Sequence, residues 1–407
     1  MSSFMRPTLE SAPSAVLHET VLNSVSSVRK SIPEQYRAHF ETLRQEIIAF
    51  AETHGIPRAS LTKLDALREA AQKLSTPDLK HFVYILESFG YLLAHHEPDK
   101  NRLPEHLEEI ESLYNLRRQY TDQVAILEQT RILKNGVIDG IGGWQFPLPT
   151  LEQIAQKIYE QQEMLGAKYA QGFTKLLLVP FGMSLDVLIL TFKQFLLSYK
   201  KKHPNFLLNT TDPLSVFEEY RGADRSDDTK LVYYPASVDE SYYPDHTKTA
   251  ILKKQLNDPQ ALPGWTVHLL QPSDPSDPHS PGIAPIPKTE EAYEFGKNVL
   301  RPDLKTNQNA RDYLAILEKA KDDPDSPYYR ESGFAPEDWM FAFMTHLIET
   351  GKPLDENAAI QLIGAYFLRS NAVPGAFWSP QEQKIKLVAL SPQKKNLLYG
   401  ARTSIIL

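Results

Sequence analysis

Apolar positions in the first third of the chain recur every three to four residues. Tyr36, Phe40, Leu43, Ile47 and Phe50 form one stripe behind the start signal Ser31-Ile32-Pro33-Glu34, and Gly55 with Pro57 ends it. The same period predicts helices from about Ser60 to Leu74 and from Thr76-Pro77 onward through Phe82, Ile85, Leu86, Phe89 and Leu93. From Pro104 to about Leu133 runs the longest helical pattern of all, with two adjacent apolar rows. Such a wide stripe fits a packed bundle better than the narrow seam of a dimeric coiled coil.

The texture changes at Asn135. Four glycines and the prolines 147 and 149 interrupt the pattern before Thr150, which predicts a flexible linker over residues 136–149 between a helical domain (1–135) and a second domain (150–407). In the second domain a helix is expected over about Thr150–Ala170. Gly172–Pro180, Lys230–Pro235 and Gly264–Leu270 have the length and composition of strands. Ser184 should cap a helix reaching Lys202, with Asp186 near its positive end. Residues 271–288 are so rich in Pro, Ser and Asp that they read as an extended surface loop without a core. Helices follow at about 310–321 and 335–349, then a short helix over 358–367. The tail 376–407 reads as strands and loops. The fold class expected is α+β.

Composition narrows the chemistry. The 407 residues are 42% hydrophobic and 23% charged, with a net charge of −7 and no cysteine. Thiolate metal sites, disulfides and cysteine nucleophiles are thereby excluded. The acidic balance argues against a broad phosphate-binding surface, so nucleic acid is not expected as a partner. No secretory signal is evident, and the most apolar run, Leu176–Leu197, is broken by Pro180, Gly182, Asp186 and Lys193. A cytoplasmic protein with no membrane association is therefore expected.

No motif announces a reaction. HExxH, G-x-S-x-G, a phosphate-binding glycine loop and a calcium loop are all missing, and no metal or cofactor is expected. His346 and Glu349 stand three apart on one helix, a spacing that builds a metal site only with further acids from facing helices. Together with Asp245, His246 and Asp338 they are the polar groups available to a hydrolase-type enzyme. In the tail, Lys384, Lys386, Lys394, Lys395 and Arg402 face only Glu382 and are interleaved with Phe377, Trp378 and Tyr399.

From Gly172 onward the phrases GFTKLLLVPFGMSLDVLI, KLVYYP, GWTVHLL, APEDWMFAFMTHLIETGK and GAYFLRSNAVPGAFWSP resemble a family of uncharacterised proteins from candidate-phyla bacteria; the resemblance implies kinship without an activity. The tail order Phe377-Trp378-Ser379, Leu387-Val388-Ala389, Gly400-Ala401-Arg402-Thr403 also resembles the end of C-type-lectin-like domains of the formylglycine-enzyme and retroelement-diversified kinds. That implies a lectin-like sheet and an inward-pointing Arg402 acting as a structural anchor. The absence of cysteine removes the copper-thiolate chemistry of the formylglycine enzymes, and the calcium–sugar motifs of true lectins are missing.

The reading is a helical N-terminal bundle or coiled-coil region followed by a mixed domain ending in a lectin-like sheet. It acts as a non-catalytic module binding a protein or small molecule, with Phe377, Trp378, Lys384, Lys386 and Tyr399 as the contact surface. The alternatives are a hydrolase-type enzyme and a helical scaffold that assembles into homo-oligomers.

Overall fold

A computed structural model describes residues 31–57, 69–70, 73–97, 103–225, 230–238, 244–274, 276–288, 294–295, 299–300, 304–356 and 358–407. The helix expected over 60–74 lies almost wholly outside them. The chain divides into two compact units, Met1–Ser112 with Thr150–Ala155, and Leu113–Pro149 with Gln156–Leu407. Helix and sheet are mixed, as α+β requires.

In the first unit, α1 (Arg37–Thr53) and α2 (Thr76–His95) pair antiparallel. Phe40 stacks on Phe89 at 5.2 Å and Phe50 on Phe82 at 4.9 Å, so the start of one helix meets the end of the other. Ser75 begins α2 by accepting from the Asp78 backbone N–H (3.2 Å). The apolar stripe is the core, with Phe40, Ile47, Phe82 and Phe89 fully buried.

The long helical pattern after Pro104 is two helices, α3 (Glu105–Tyr114) and α4 (Leu116–Gln129). Asn115 separates them in the left-handed region (φ 49°), which Asn tolerates. Similarly, 150–170 divides at Gln161 into α5 (Leu151–Glu160) and α6 (Gln162–Ala170). The remaining helices are α7 (Leu185–Lys202), α8 (Lys248–Asn257), α9 (Ala310–Ala320) and α10 (Pro336–Thr350).

The strands are β1 (Val137–Asp139), β2 (Gln145–Pro147), β3 (Lys175–Val179), β4 (Leu214–Val216), β5 (Leu231–Tyr233), β6 (Thr266–Leu270), β7 (Glu294–Phe295), β8 (Val299–Leu300), β9 (Glu331–Gly333), β10 (Ala359–Gln361), β11 (Ala365–Phe367), β12 (Val373–Ser379), β13 (Lys384–Leu390), β14 (Tyr399–Ala401) and β15 (Thr403–Ile406). A four-stranded antiparallel sheet runs β3-β6-β15-β9, and a five-stranded mixed sheet runs β14-β10-β12-β13-β4. The chain passes from one sheet to the other at Arg402.

The helix α10 touches strands of both sheets and is buried on all sides from Pro336 to Thr345. This is why its sequence is apolar around its whole circumference rather than along one stripe. The edge of β3 is closed by α4. Gln119 accepts from Leu176 N (2.8 Å) and donates to Thr174 O (2.9 Å), while Gln123 accepts from Leu178 N (3.4 Å) and donates to Thr345 Oγ1 (3.1 Å). Two side-chain amides thus occupy the backbone groups that another strand would use.

Three expectations are corrected. Residues 136–149 are no flexible linker: β1 and β2 form a hairpin with Ile138 and Phe146 buried. The Phe146 ring fills the space that Cβ atoms would need at Gly140, Gly182 and Gly264, and Trp265 Nε1 donates to Pro147 O (2.8 Å). The predicted helix 358–367 is instead β10 and β11. At the turn between them, Gly364 lies against the Gly333 carbonyl, where a Cβ would sit 2.2 Å from that oxygen. The Pro-rich segment 271–288 is not coreless: Ile283, Ala284 and Ile286 are buried.

Candidate functional site

Two helices begin beside each other at a buried ionic centre. Asp224, Lys248 and Glu337 all have side chains fully out of solvent. The Lys248 ammonium donates to Asp224 Oδ2 (2.7 Å), Glu337 Oε1 (2.7 Å) and Met183 O (2.9 Å), using all three of its protons. Asp224 Oδ2 also accepts from Leu185 N (2.7 Å), the first residue of α7. That corrects the expected cap. Ser184 occupies the cap position without a side-chain bond, and Asp224, from a distant loop, does the capping. Glu337 sits in the first turn of α10 and accepts from the Tyr233 hydroxyl (2.8 Å).

Burial works against the charge on Lys248, but the facing Asp224 and Glu337 outweigh it and hold its pKa above the ordinary lysine value. Burial pushes the Glu337 carboxyl up, and the Lys248 ammonium offsets this only in part. The Tyr233 phenol is driven well up by burial and by the Glu337 charge.

A second chain of polar groups starts from Asp338, the next residue of α10. Ser404 Oγ is 2.8 Å from His268 Nδ1, and His268 Nε2 is 3.1 Å from Asp338 Oδ1. Asp338 Oδ2 accepts from Ala335 N (2.7 Å) at the start of α10. Ser, His and Asp in contact are the parts of a nucleophilic relay. Here the ring nitrogens are exchanged relative to the usual template, and all three side chains have no exposure. The buried side-chain atoms without a hydrogen-bond partner include Ser184 Oγ, Asp224 Oδ1 and Glu337 Oε2. The region is therefore polar beyond what its own contacts satisfy. Among the described residues no group of three or more His, Asp or Glu is arranged to hold a metal ion.

The other end of α7 is open. A cleft of about 660 Å³ lies between α4 and α7, with Ile348 and Glu349 of α10 also lining it. Ile126, Phe195 and Tyr199 give it an apolar wall, and Arg131, Lys202 and His203 bring cations and an imidazole to it. The Tyr199 hydroxyl donates to Leu347 O (3.2 Å), and the His203 ring stacks on Tyr199 at 4.0 Å. Arg131 and Lys202 are exposed and have no ion-pair partner among the described residues. The cleft's size is that of small-ligand sites.

No protein-family profile, curated protein or solved structure matches the chain.

The residues singled out in the tail are only partly brought together. Phe377 and Lys386 are paired across β12 and β13, with the ammonium 6.0 Å from the ring centre; Lys384 shares their face two residues along. Trp378 points to the opposite face, 5% exposed, with its ring 5.6 Å from that of Phe206. Tyr399 lies at the far edge of the sheet on β14. The cations are already engaged. Lys384 pairs with Asp212 (2.9 Å) and Glu382 (3.1 Å), Lys386 with Glu382, and Lys395 with Asp312 (2.7 Å).

Arg402 is buried, and its guanidinium bonds both carboxylate oxygens of Asp355 and the Ala284 carbonyl. Asp355 in turn accepts from Trp339 Nε1 (2.9 Å), so the pair ties the sheet crossing to α10.

The polar groups considered for an enzyme do not converge. His246 Nδ1 is bonded to Tyr233 O (2.8 Å) and neighbours Asp245 in a short helical turn. His346 Nδ1 accepts from Ile283 N (2.9 Å), and Glu349 accepts from Gly282 N (2.6 Å) and pairs with Lys175 (2.5 Å). Their i, i+3 spacing pins the Pro-rich segment to α10. Only Asp338 of this set joins the Ser404–His268 chain. Sequence reading missed Lys248, Asp224, His268 and Ser404, which are far apart in the chain. The one local signal was Glu337-Asp338 at the head of an apolar helix.

Proposed function

We propose that the chain is a non-catalytic binding module. Its ligand is a small molecule with an apolar or aromatic body and one anionic group, held in the cleft between α4 and α7. The observation that carries this reading is the pair of unpartnered cations, Arg131 and Lys202, beside the Phe195–Tyr199 wall of an open cleft. The body would lie against the rings and the anion would meet the guanidinium or ammonium. Four of the five tail cations are engaged by carboxylates, which supports a partner other than nucleic acid. No described helix is long and apolar enough to cross a membrane. A cytoplasmic location, the lectin-like character of the β12–β15 tail and an assembly role for the N-terminal helices belong to the same proposal. Light scattering tests the last of these: a monomer removes it.

The test is thermal unfolding and calorimetric titration with matched aromatic carboxylates, phosphates and amines. Anionic members should raise the melting midpoint and amines should not, with the gain lost in Lys202→Glu and Arg131→Glu. Equal response to amines, or full retention in both variants, overturns the reading.

The Ser404–His268–Asp338 contacts favour a second reading, a hydrolase whose relay opens to substrate. A fluorophosphonate probe decides between them. Labelling of Ser404 in the native protein establishes the hydrolase, and no labelling is expected for the binding module.

A further inference from the structure

We propose that the outer edge of β4 docks an extended, acidic peptide as an added strand. β4 closes the five-stranded sheet and is paired only with β13, in parallel. Ile385 N donates to Pro213 O (3.0 Å) and Phe217 N donates to Leu387 O (2.9 Å), so residues 213, 215 and 217 turn their backbone groups toward β13. By alternation, the N–H and C=O groups of Leu214 and Val216 point away from the sheet. No described residue pairs with them. The contrast with β3 is direct: there Gln119 and Gln123 occupy the edge, whereas β4 has no such cover among the described residues.

What lies beside the open edge identifies its partner. A groove of about 660 Å³ separates β4 from α7, whose Leu190 is 56% exposed. Two acids line the groove and both are engaged: Asp186 by Arg225 (3.2 Å) and Gly222 N, and Asp212 by Lys384 (2.9 Å). Two cations line it, Lys193 and Arg221, and neither side chain has a partner among the described residues. The groove therefore offers free backbone rungs, an apolar wall and unmatched positive charge. An extended segment that alternates apolar and acidic side chains satisfies all three: its amides pair with Leu214 and Val216, its apolar face lies on Leu190, and its carboxylates reach Lys193 and Arg221.

The experiment is fluorescence anisotropy of the full chain with a short labelled peptide of alternating valine and glutamate. It is compared with a lysine-for-glutamate peptide and with the acidic peptide N-methylated at alternate amides. The acidic peptide should bind, with affinity falling as salt rises. Both control peptides should bind at least about tenfold more weakly, a difference of ~1.4 kcal/mol. Val216→Pro removes an outward N–H without touching a bond to β13, and should cost a similar factor while leaving the melting midpoint in place. Lys193→Glu with Arg221→Glu should abolish binding, and Lys202→Glu, in the other cleft, should not change it. Equal binding of the lysine peptide, or unchanged binding by Val216→Pro, overturns the proposal. A dimer seen by light scattering and dissolved by Val216→Pro would instead assign the edge to a second copy of this chain.

Discussion

At its first turn α7 is held by charges that never meet water; at its last turn the charges stand in solvent. Lys248 spends all three donors on Asp224, Glu337 and a carbonyl, and every partner is itself buried. Lys202 and Arg131 have the same formal charge and no partner among the described residues. The difference lies in solvation, not in residue type. A buried ammonium must be neutralised by its surroundings or lose its proton, so it becomes part of the frame. An exposed one remains free for a ligand.

The sharpest way to break this comparison is Lys248→Met, which leaves two buried carboxylates facing each other. It should lower stability by ~3–5 kcal/mol, the range for breaking a buried pair by removing one partner. Urea unfolding followed by tryptophan fluorescence measures it. The triple variant Lys248→Met, Asp224→Asn, Glu337→Gln should recover much of the loss, because no buried charge is then stranded. A single-variant loss under ~1 kcal/mol, as for a surface pair, would mean that the centre is solvated.

Next in size is Arg402→Ala, which strands the Asp355 carboxylate and should cost ~3 kcal/mol in a thermal melt. An unchanged midpoint would remove Arg402 from the frame and place it with the exposed cations.

Acid provides a smaller effect. Burial lowers the His346 pKa to about 4, and its Nδ1 must stay unprotonated to accept from Ile283 N. His39, in the first unit, is lowered to about 4 by burial as well. A histidine whose folded pKa is depressed contributes stability above the unfolded value near 6.5, and that stability is lost as pH falls toward 4. For His346 the loss is at most ~3 kcal/mol. Glu337 acts in the opposite sense. Its raised pKa favours the fold while it is protonated, and that contribution disappears as pH rises through its folded value. Melts between pH 7 and pH 4.5 should fall less steeply for His346→Gln, whose side-chain oxygen can still accept from Ile283. Identical slopes would exclude His346 as the source.

The smallest effect is expected at the open end. Lys202→Glu should change unfolding by no more than ~0.5 kcal/mol, as for other surface substitutions away from special features. A larger loss would place Lys202 among the structural charges.

Much of the fold was legible because local chemistry and burial agree there. The strand runs ending at Val179 and Leu270, and the helices Leu185–Lys202 and Pro336–Thr350, follow directly from their apolar patterns. The failures share a cause. Residues 358–367 look helical in isolation, yet β10 is captured between β12 and β14, and β11 by β5. Residues 136–149 look like a linker because glycine is read as freedom, whereas Gly140 is there for space. The ionic centre was illegible for the same reason. Asp224 and Lys248 sit in ordinary polar neighbourhoods of sequence and Glu337 at the head of an apolar helix, and only the tertiary fold buries them together. Lys202 was visible only as the end of the helix that begins after Ser184, not as the rim of a cleft.

The nest around Phe146 has a consequence for how this sequence can change. Gly140, Gly182 and Gly264 belong to three separate loops, yet a methyl group added at any of them would lie 2.6 Å or less from the same ring. No single step toward alanine is open at these positions while the phenylalanine remains, and a smaller residue at 146 would leave a void that all three loops share. The four positions therefore drift as one heritable unit. Descendants of this chain should either keep all four or have rebuilt the hairpin altogether.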